Sequence, residues 1–220
     1  MAVALGIDAS GAACSVSLTA WDGQVLIARQ EFVERGHATH MMPMIAEVLG
    51  GRHDVGAIAV GIGPGSFTGL RVALAAARGI ALARAIPCLG VDGFRAQRAA
   101  LPPDIGPVTV VLDARPMAVP GDDPKHLPMV QRFSAEGIAV HEPRLEPVDA
   151  LIVLGTLVGQ RIGSLAARLN APAIELGPVR AEIVAALGLA DLAAGRVVPA
   201  RPLYLRAPDV SVARPAGVKR

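Results

Sequence analysis

Gly61-Ile62-Gly63-Pro64-Gly65-Ser66-Phe67-Thr68-Gly69-Leu70-Arg71 lies between the apolar run Ala57-Ile58-Ala59-Val60 and an alanine-rich segment that reaches Arg84. An apolar strand, a glycine turn and a helix start follow one another here. Such a turn gathers free backbone N–H groups at a helix N-terminus, where anions are favoured. The stretch lacks the Gly-Lys-Ser/Thr ending of a Walker A loop. It is no nucleophile elbow either, because Ser66 stands one place early for Gly-x-Ser-x-Gly. The preferred reading of Gly63, Pro64, Gly65, Ser66, Thr68 and Gly69 is structural: a tight turn that needs glycine and then packs the next helix on a sheet.

Working towards the N-terminus, His37 to Leu49 carries apolar residues at helical spacing, with Pro43 inside the pattern and Gly50-Gly51 ending it. Before it stand three strand-like runs. Val3 to Asp8 is apolar and ends in aspartate, Ser15 to Ala20 alternates, and Val25 to Phe32 follows the hairpin signal Asp22-Gly23. Towards the C-terminus, Thr68 to Arg84 reads as a helix capped by Ser66 or Thr68, with a stripe of small residues at Gly69, Ala73, Ala76, Ala77 and Ile80. Ile86 to Val91 is a further strand. The order is therefore βββ, α, β, α, β.

Gln97 to Pro107 reads as a helix end and linker, after which Val108 to Asp113 repeats the strand-then-aspartate theme of Gly6-Ile7-Asp8. Prolines at 116, 120, 124 and 128 exclude regular helix and central strand there. Strands are expected within Gln131 to Val140 and at Leu151 to Leu154, and helices at Ile162 to Leu169 and Arg180 to Leu192. The division this predicts is an N-terminal lobe at 1–105, a smaller lobe at 106–210 and a basic tail at 211–220.

The chain has 220 residues and is 52% hydrophobic but only 3% aromatic, so its core must be aliphatic. A formal net charge of +2 argues against an extended nucleic-acid footprint. Cys14 and Cys88 are the only cysteines, as expected for reduced thiols in a cytoplasmic protein. Met1 to Ser10 lacks the form of a secretory leader, and charges, prolines and glycines break every long apolar stretch, so no membrane association is expected.

The run from Gly63 to Arg71 resembles the signature of the TsaB family, the dimerisation subunit of the bacterial complex that makes threonylcarbamoyladenosine in tRNA. Gly6-Ile7-Asp8-Ala9-Ser10, the proline-containing helix at 37–49, Asp113-Ala114-Arg115 and Arg201-Pro202-Leu203-Tyr204-Leu205-Arg206 agree with it in order and spacing. The resemblance is close to about residue 115 and patchy beyond, where Pro116 to Met129 interrupts a strand pair that in the family carries a tyrosine. It implies an α/β protein of the actin-like, Hsp70-like ATPase fold (ASKHA), with two RNase H-like lobes. It also implies a pseudoenzyme subunit without its own cofactor, metal or catalytic residues. Its partners would be a TsaD-like catalytic subunit and a TsaE-like ATPase, with tRNA met mainly through the complex.

Each sharp reading has a plainer rival. Asp8, Ser10 and Asp113 sit where active members of the superfamily hold a metal–nucleotide, but the sequence after Asp113 suits phosphate poorly, so a vestigial cleft is expected, its carboxylates capping turns or pairing with Arg71 or Arg115. His37 and His40 have metal-compatible spacing but no third ligand nearby, and are expected at a surface or interface. The catalytic sister family carries His-x-x-x-His after the strand that follows the glycine-turn helix; Gly93 and Gln97 take those two places here. The expected partner interface comprises His37, Met41, Met42, Ile45, Leu49, Phe67, Leu70, Arg71, Ala73, Leu74 and Ala77, although a core stripe is the default for such residues. Alternatives are an ATP-dependent small-molecule kinase of the same superfamily, a protease, and a homodimer in isolation.

Overall fold

The computed structural model describes residues 3–33, 36–112 and 127–205. Val3–Asp8 (β1), Ala13–Ala20 (β2) and Val25–Phe32 (β3) form an antiparallel meander. Val55–Gly63 (β4) and Cys88–Asp92 (β5) then extend the sheet parallel to β1, in the order β3-β2-β1-β4-β5. The crossovers are His37–Leu49 (α1), with Pro43 inside it, and Phe67–Arg84 (α2). Ser66 caps α2, its hydroxyl accepting from the Gly69 amide at 3.2 Å.

The second half repeats this topology. Val108–Leu112 (β6), Met129–Phe133 (β7) and Arg144–Leu145 (β8) pair antiparallel, and Thr156–Gly159 (β9) and Ala173–Glu175 (β10) add parallel strands. The order is β8-β7-β6-β9-β10, the same 3-2-1-4-5 pattern by position. Two such sheets in tandem are the duplicated RNase H-like architecture of the actin-like, Hsp70-like ATPase fold. The echo between Gly6-Ile7-Asp8 and Val111-Leu112 reflects equivalent first strands; Asp113 lies outside the described residues, as does the tail at 211–220.

Each sheet is followed by a helix that packs on the other. Gly93–Ala99 (α3) follows β5, yet its Phe94 is buried among Val108, Val110 and Leu112 of β6. Ala181–Ala193 (α5) follows β10, yet it covers β1, β2 and β4. Thus α5 belongs in space to the first sheet, although it falls within 106–210. Small residues make this close approach feasible. A Cβ at Gly6 would lie 2.2 Å from the Ala181 carbonyl oxygen, and one at Gly188 would lie 2.5 Å from the Ala59 Cβ. Arg95 of α3 joins Asp191 of α5 through Nη1 at 2.8 Å, and Arg196 adds a second cation at 2.7 Å. Burial alone would push the Asp191 carboxyl up, but the two guanidiniums together hold it below the usual carboxylate range.

The polar face of β2 is buried rather than solvated: Ser15, Ser17 and Thr19 all lie under α5. Ser15 Oγ accepts from the Ala181 amide at 2.9 Å, which satisfies a free donor at the start of that helix. Residues 151–154 form no strand. Their polar groups are taken by side chains instead: Arg132 Nε donates to the Ile152 carbonyl at 2.7 Å, and the Leu154 amide donates to Thr109 Oγ1 at 2.6 Å. The strand comes one step later, at β9. Gly163–Leu169 (α4) stands where a helix is expected.

Candidate partner-binding surface

The glycine turn leaves β4 and meets the chain just beyond β1. The Ser66 amide donates to the Ser10 carbonyl at 2.7 Å. A Cβ at Gly65 would sit 1.9 Å from that same oxygen, and one at Gly69 would sit 2.0 Å from the Ala9 oxygen. Gly63 has φ +88°, a left-handed conformation that side chains disfavour. These glycines therefore let two backbones touch and fix where α2 begins. Backbone amide and carbonyl are matched to each other, in keeping with a structural turn.

Asp8 closes the other side of this junction. It is buried, and its Oδ1 accepts from the Ser10 amide at 3.0 Å and from the Ser10 hydroxyl at 2.9 Å. Its Oδ2 occupies the space a side chain at Gly61 would need. Burial raises the carboxyl to about 7, against the lowering effect of the Ser10 hydrogen bonds. Asp8 thus caps a turn and pairs with no arginine among the described residues; Arg71 lies on Phe67 and Tyr204 instead.

The C-terminal motif returns to the same place. The Gly90 amide donates to the Val198 carbonyl and the Leu203 amide to the Ile62 carbonyl, each at 2.8 Å. Tyr204 then lies against Phe67, with ring centroids 5.5 Å apart. The Arg71 guanidinium sits 3.7 Å over the Phe67 ring. Two family-like stretches far apart in sequence, the glycine turn and 201–205, are thereby one surface feature.

The predicted interface residues divide into two groups. His37, Met41, Ile45, Leu70, Ala73, Leu74 and Ala77 are buried within this chain, where α1, α2 and the sheet share one aliphatic core. They are not available to a partner. The helix that closes on the small-residue stripe is the chain's own α1: a Cβ at Gly69 would meet the His37 ring at 3.3 Å. His37 is accordingly no surface histidine, and its Nε2 lies 3.3 Å from the Gly11 carbonyl. His40 pairs with Glu31 at 3.0 Å. The remaining residues, Met42, Leu49, Phe67 and Arg71, stay wholly or partly accessible.

The sequence reading missed the outer face of α2. Ala75, Arg78, Gly79 and Leu82 are exposed there, Leu82 at 85%, and Met42 on α1 is exposed at 51%. The signal was present in the spacing, since every position 3.6-periodic with Arg71 points away from the buried set at 70, 73, 74, 77 and 81.

Gly93 starts α3 and Gln97 lies within it, whereas the sequence suggests only a helix end and linker from Gln97 onward. Asp92 caps this helix, accepting from the Arg95 amide at 2.8 Å. Gln97 is buried and its Nε2 donates to the Gly177 carbonyl at 3.1 Å, tying α3 to the segment ahead of α5. Among the described residues no three His, Cys, Asp or Glu side chains gather as a metal site would require. No helix among them is long and apolar enough to cross a membrane.

The topology is that of the actin-like, Hsp70-like ATPase fold. Comparison with known proteins narrows this. Residues 27–120 match the family described as "TsaD: tRNA N6-adenosine threonylcarbamoyltransferase". The tRNA threonylcarbamoyladenosine biosynthesis protein TsaB of Escherichia coli is 38% identical over 92 residues, which is 40% of this chain and 39% of that protein. An uncharacterized protein of Mycobacterium bovis is 31% identical over 220 residues, 93% of this chain and 92% of the relative. A Pseudomonas aeruginosa protein described as similar to peptidase YEAZ superposes with a TM-score of 0.75 at 27% identity, covering 94% of this chain and all (100%) of that one. The chain is thus TsaB/YeaZ-like: its first half resembles TsaB proteins in sequence, and its whole fold resembles the YEAZ-like structure. The stretch matched in the Escherichia coli relative is well under half of that protein's length.

Proposed function

We infer that this chain is a non-catalytic TsaB-type subunit that pairs with a TsaD-type catalytic subunit, which transfers a threonylcarbamoyl group to the adenosine beside the tRNA anticodon. The observation that carries this reading is the outer α1–α2 face. The glycine junction anchors α2 rigidly, and Met42 and Leu82 are nevertheless left in solvent. A large apolar side chain held on a fixed helix suits an interface. The relatives support the process: those named TsaB are described by their role in threonylcarbamoyladenosine biosynthesis. Gln97 supports the division of labour, because its amide is engaged with the Gly177 carbonyl, and an amide is a poor ligand for a transition metal.

In this reading the two lobes fold as 1–105 and 106–210, with α5 reaching across. The catalytic step and any metal belong to the partner, a TsaE-like ATPase joins the complex, and tRNA meets it chiefly through the assembly. Multi-angle light scattering of this chain with the TsaD-type subunit of the same organism tests the pairing. A 1:1 species that Ala75→Trp abolishes supports it. A chain that self-associates and ignores the TsaD-type subunit contradicts it.

A further inference from the structure

Arg71, Ala75, Arg78 and Leu82 recur three and four residues apart and all face solvent. On a helix this spacing makes one stripe, with Arg71 and Arg78 roughly 10 Å apart along the axis. No Asp or Glu occurs between Phe67 and Arg84. In α1 the one carboxylate is Glu47, and its Oε1 already receives Arg29 Nε at 2.9 Å. Elsewhere in the first lobe Arg52 pairs with Asp54 and Arg95 with Asp191, while Arg84 and Arg98 donate to backbone carbonyls of this chain. Arg71 is held on Phe67 and Tyr204 instead. Among the described residues neither Arg71 nor Arg78 has a carboxylate partner.

We propose that the Arg71–Arg78 stripe of α2 docks a protein partner that presents two carboxylates two helical turns apart beside an apolar strip. This rests on the reading of α1–α2 as the partner surface and adds the chemistry of what binds it. Two guanidiniums with no carboxylate partner among the described residues ask for anions, and Arg favours planar, bidentate carboxylate recognition. The stack on Phe67 fixes the Arg71 head, so less side-chain freedom is lost on binding. Leu82 and Ala75, interleaved with the cations, favour a protein over a phosphate backbone, and a chain of net charge +2 offers no wider basic field for RNA.

Calorimetric titration with the TsaD-type subunit, at low and at high salt, tests this with Arg71→Glu, Arg78→Glu and Ala75→Trp. The charge reversals should weaken binding about tenfold at low salt and flatten its salt dependence. Ala75→Trp should block binding at both salts. Blocked binding by Ala75→Trp with unchanged affinity in both reversals would keep the surface but overturn the charge complement. Unaltered binding in all three would overturn the surface as well. Reversals that spare the protein partner but abolish a tRNA gel shift would assign the stripe to RNA and overturn the proposal. Arg78 makes no intrachain ion pair among the described residues, so Arg78→Glu alone remains a folded test where Arg71→Glu disturbs the Tyr204 stack.

Discussion

The Ser66 amide donates to the Ser10 carbonyl across 2.7 Å, so the start of α2 is bonded to the end of the first strand's turn. This bond explains the glycine signature better than ligand chemistry does. The turn reaches Ser10 only because Gly65 has no side chain. The following helix then takes a fixed position over the sheet, and its outer residues form a defined surface.

Gly65→Ala should therefore destabilise the fold. Its Cβ would stand 1.9 Å from a backbone oxygen, which cannot move without shifting β1 or α2. A loss of about 1–3 kcal/mol is expected from chemical denaturation. Gly79→Ala is the matched control, because a Cβ there meets nothing within 4 Å and the position is an exposed helix interior. It should stabilise by about 0.5–1 kcal/mol.

Asp8 predicts an unusual pH dependence. Its carboxyl is raised from 3.8 to about 7 in the folded chain. At pH below about 4 both states hold the proton and burial costs nothing. Between about 4 and 7 the unfolded chain loses the proton first, so stability falls as pH rises. Above 7 the penalty is constant, on the order of 4 kcal/mol at most. Asp8→Asn should raise the melting temperature at pH 8 and leave it nearly unchanged at pH 4. Equal gains at both pH values would refute this account of Asp8.

The second lobe contains a buried ion pair with the opposite sign. Arg132 Nη1 and Nη2 reach Glu146 at 2.6 and 2.5 Å, and Arg144 adds a contact at 2.5 Å. Hydrogen bonds from Arg132, and secondarily Arg144, hold the Glu146 carboxyl below its usual range despite burial. Its stabilisation is present above the ordinary glutamate value and is lost as pH falls through the lowered one. Arg132→Met should cost about 3–5 kcal/mol, because it leaves a carboxylate buried without its main partner. The double change Arg132→Met with Glu146→Leu should recover much of that loss, as urea midpoints would show.

Legibility in the sequence followed the strength of local signals. Val25–Phe32 and His37–Leu49 match their expected bounds because a Asp-Gly hairpin and a clear helical period announce them. The second lobe was harder. Leu151 to Leu154 is apolar enough for a strand, yet side chains from β6 and β7 occupy its polar groups. The exchange of α3 and α5 between sheets was invisible, because it depends on small residues at Gly6, Ala59 and Gly188 meeting across long sequence separations. The candidate surface was half legible. Periodicity marked α1 and α2 as apolar, but not which apolar residues their own core consumes. Ala73 and Ala77, read as a groove for another subunit, are filled by the chain's own helix packing. Ala73→Arg would test folding, not docking.

The central claim is that a second subunit covers the outer α1–α2 face. Hydrogen exchange of this chain, alone and with the TsaD-type subunit, tests it most directly. The account predicts new protection in residues 37–49 and 67–84, with β7 and β8 unchanged. Protection confined to the second sheet, or none in either helix under saturating partner, would contradict it.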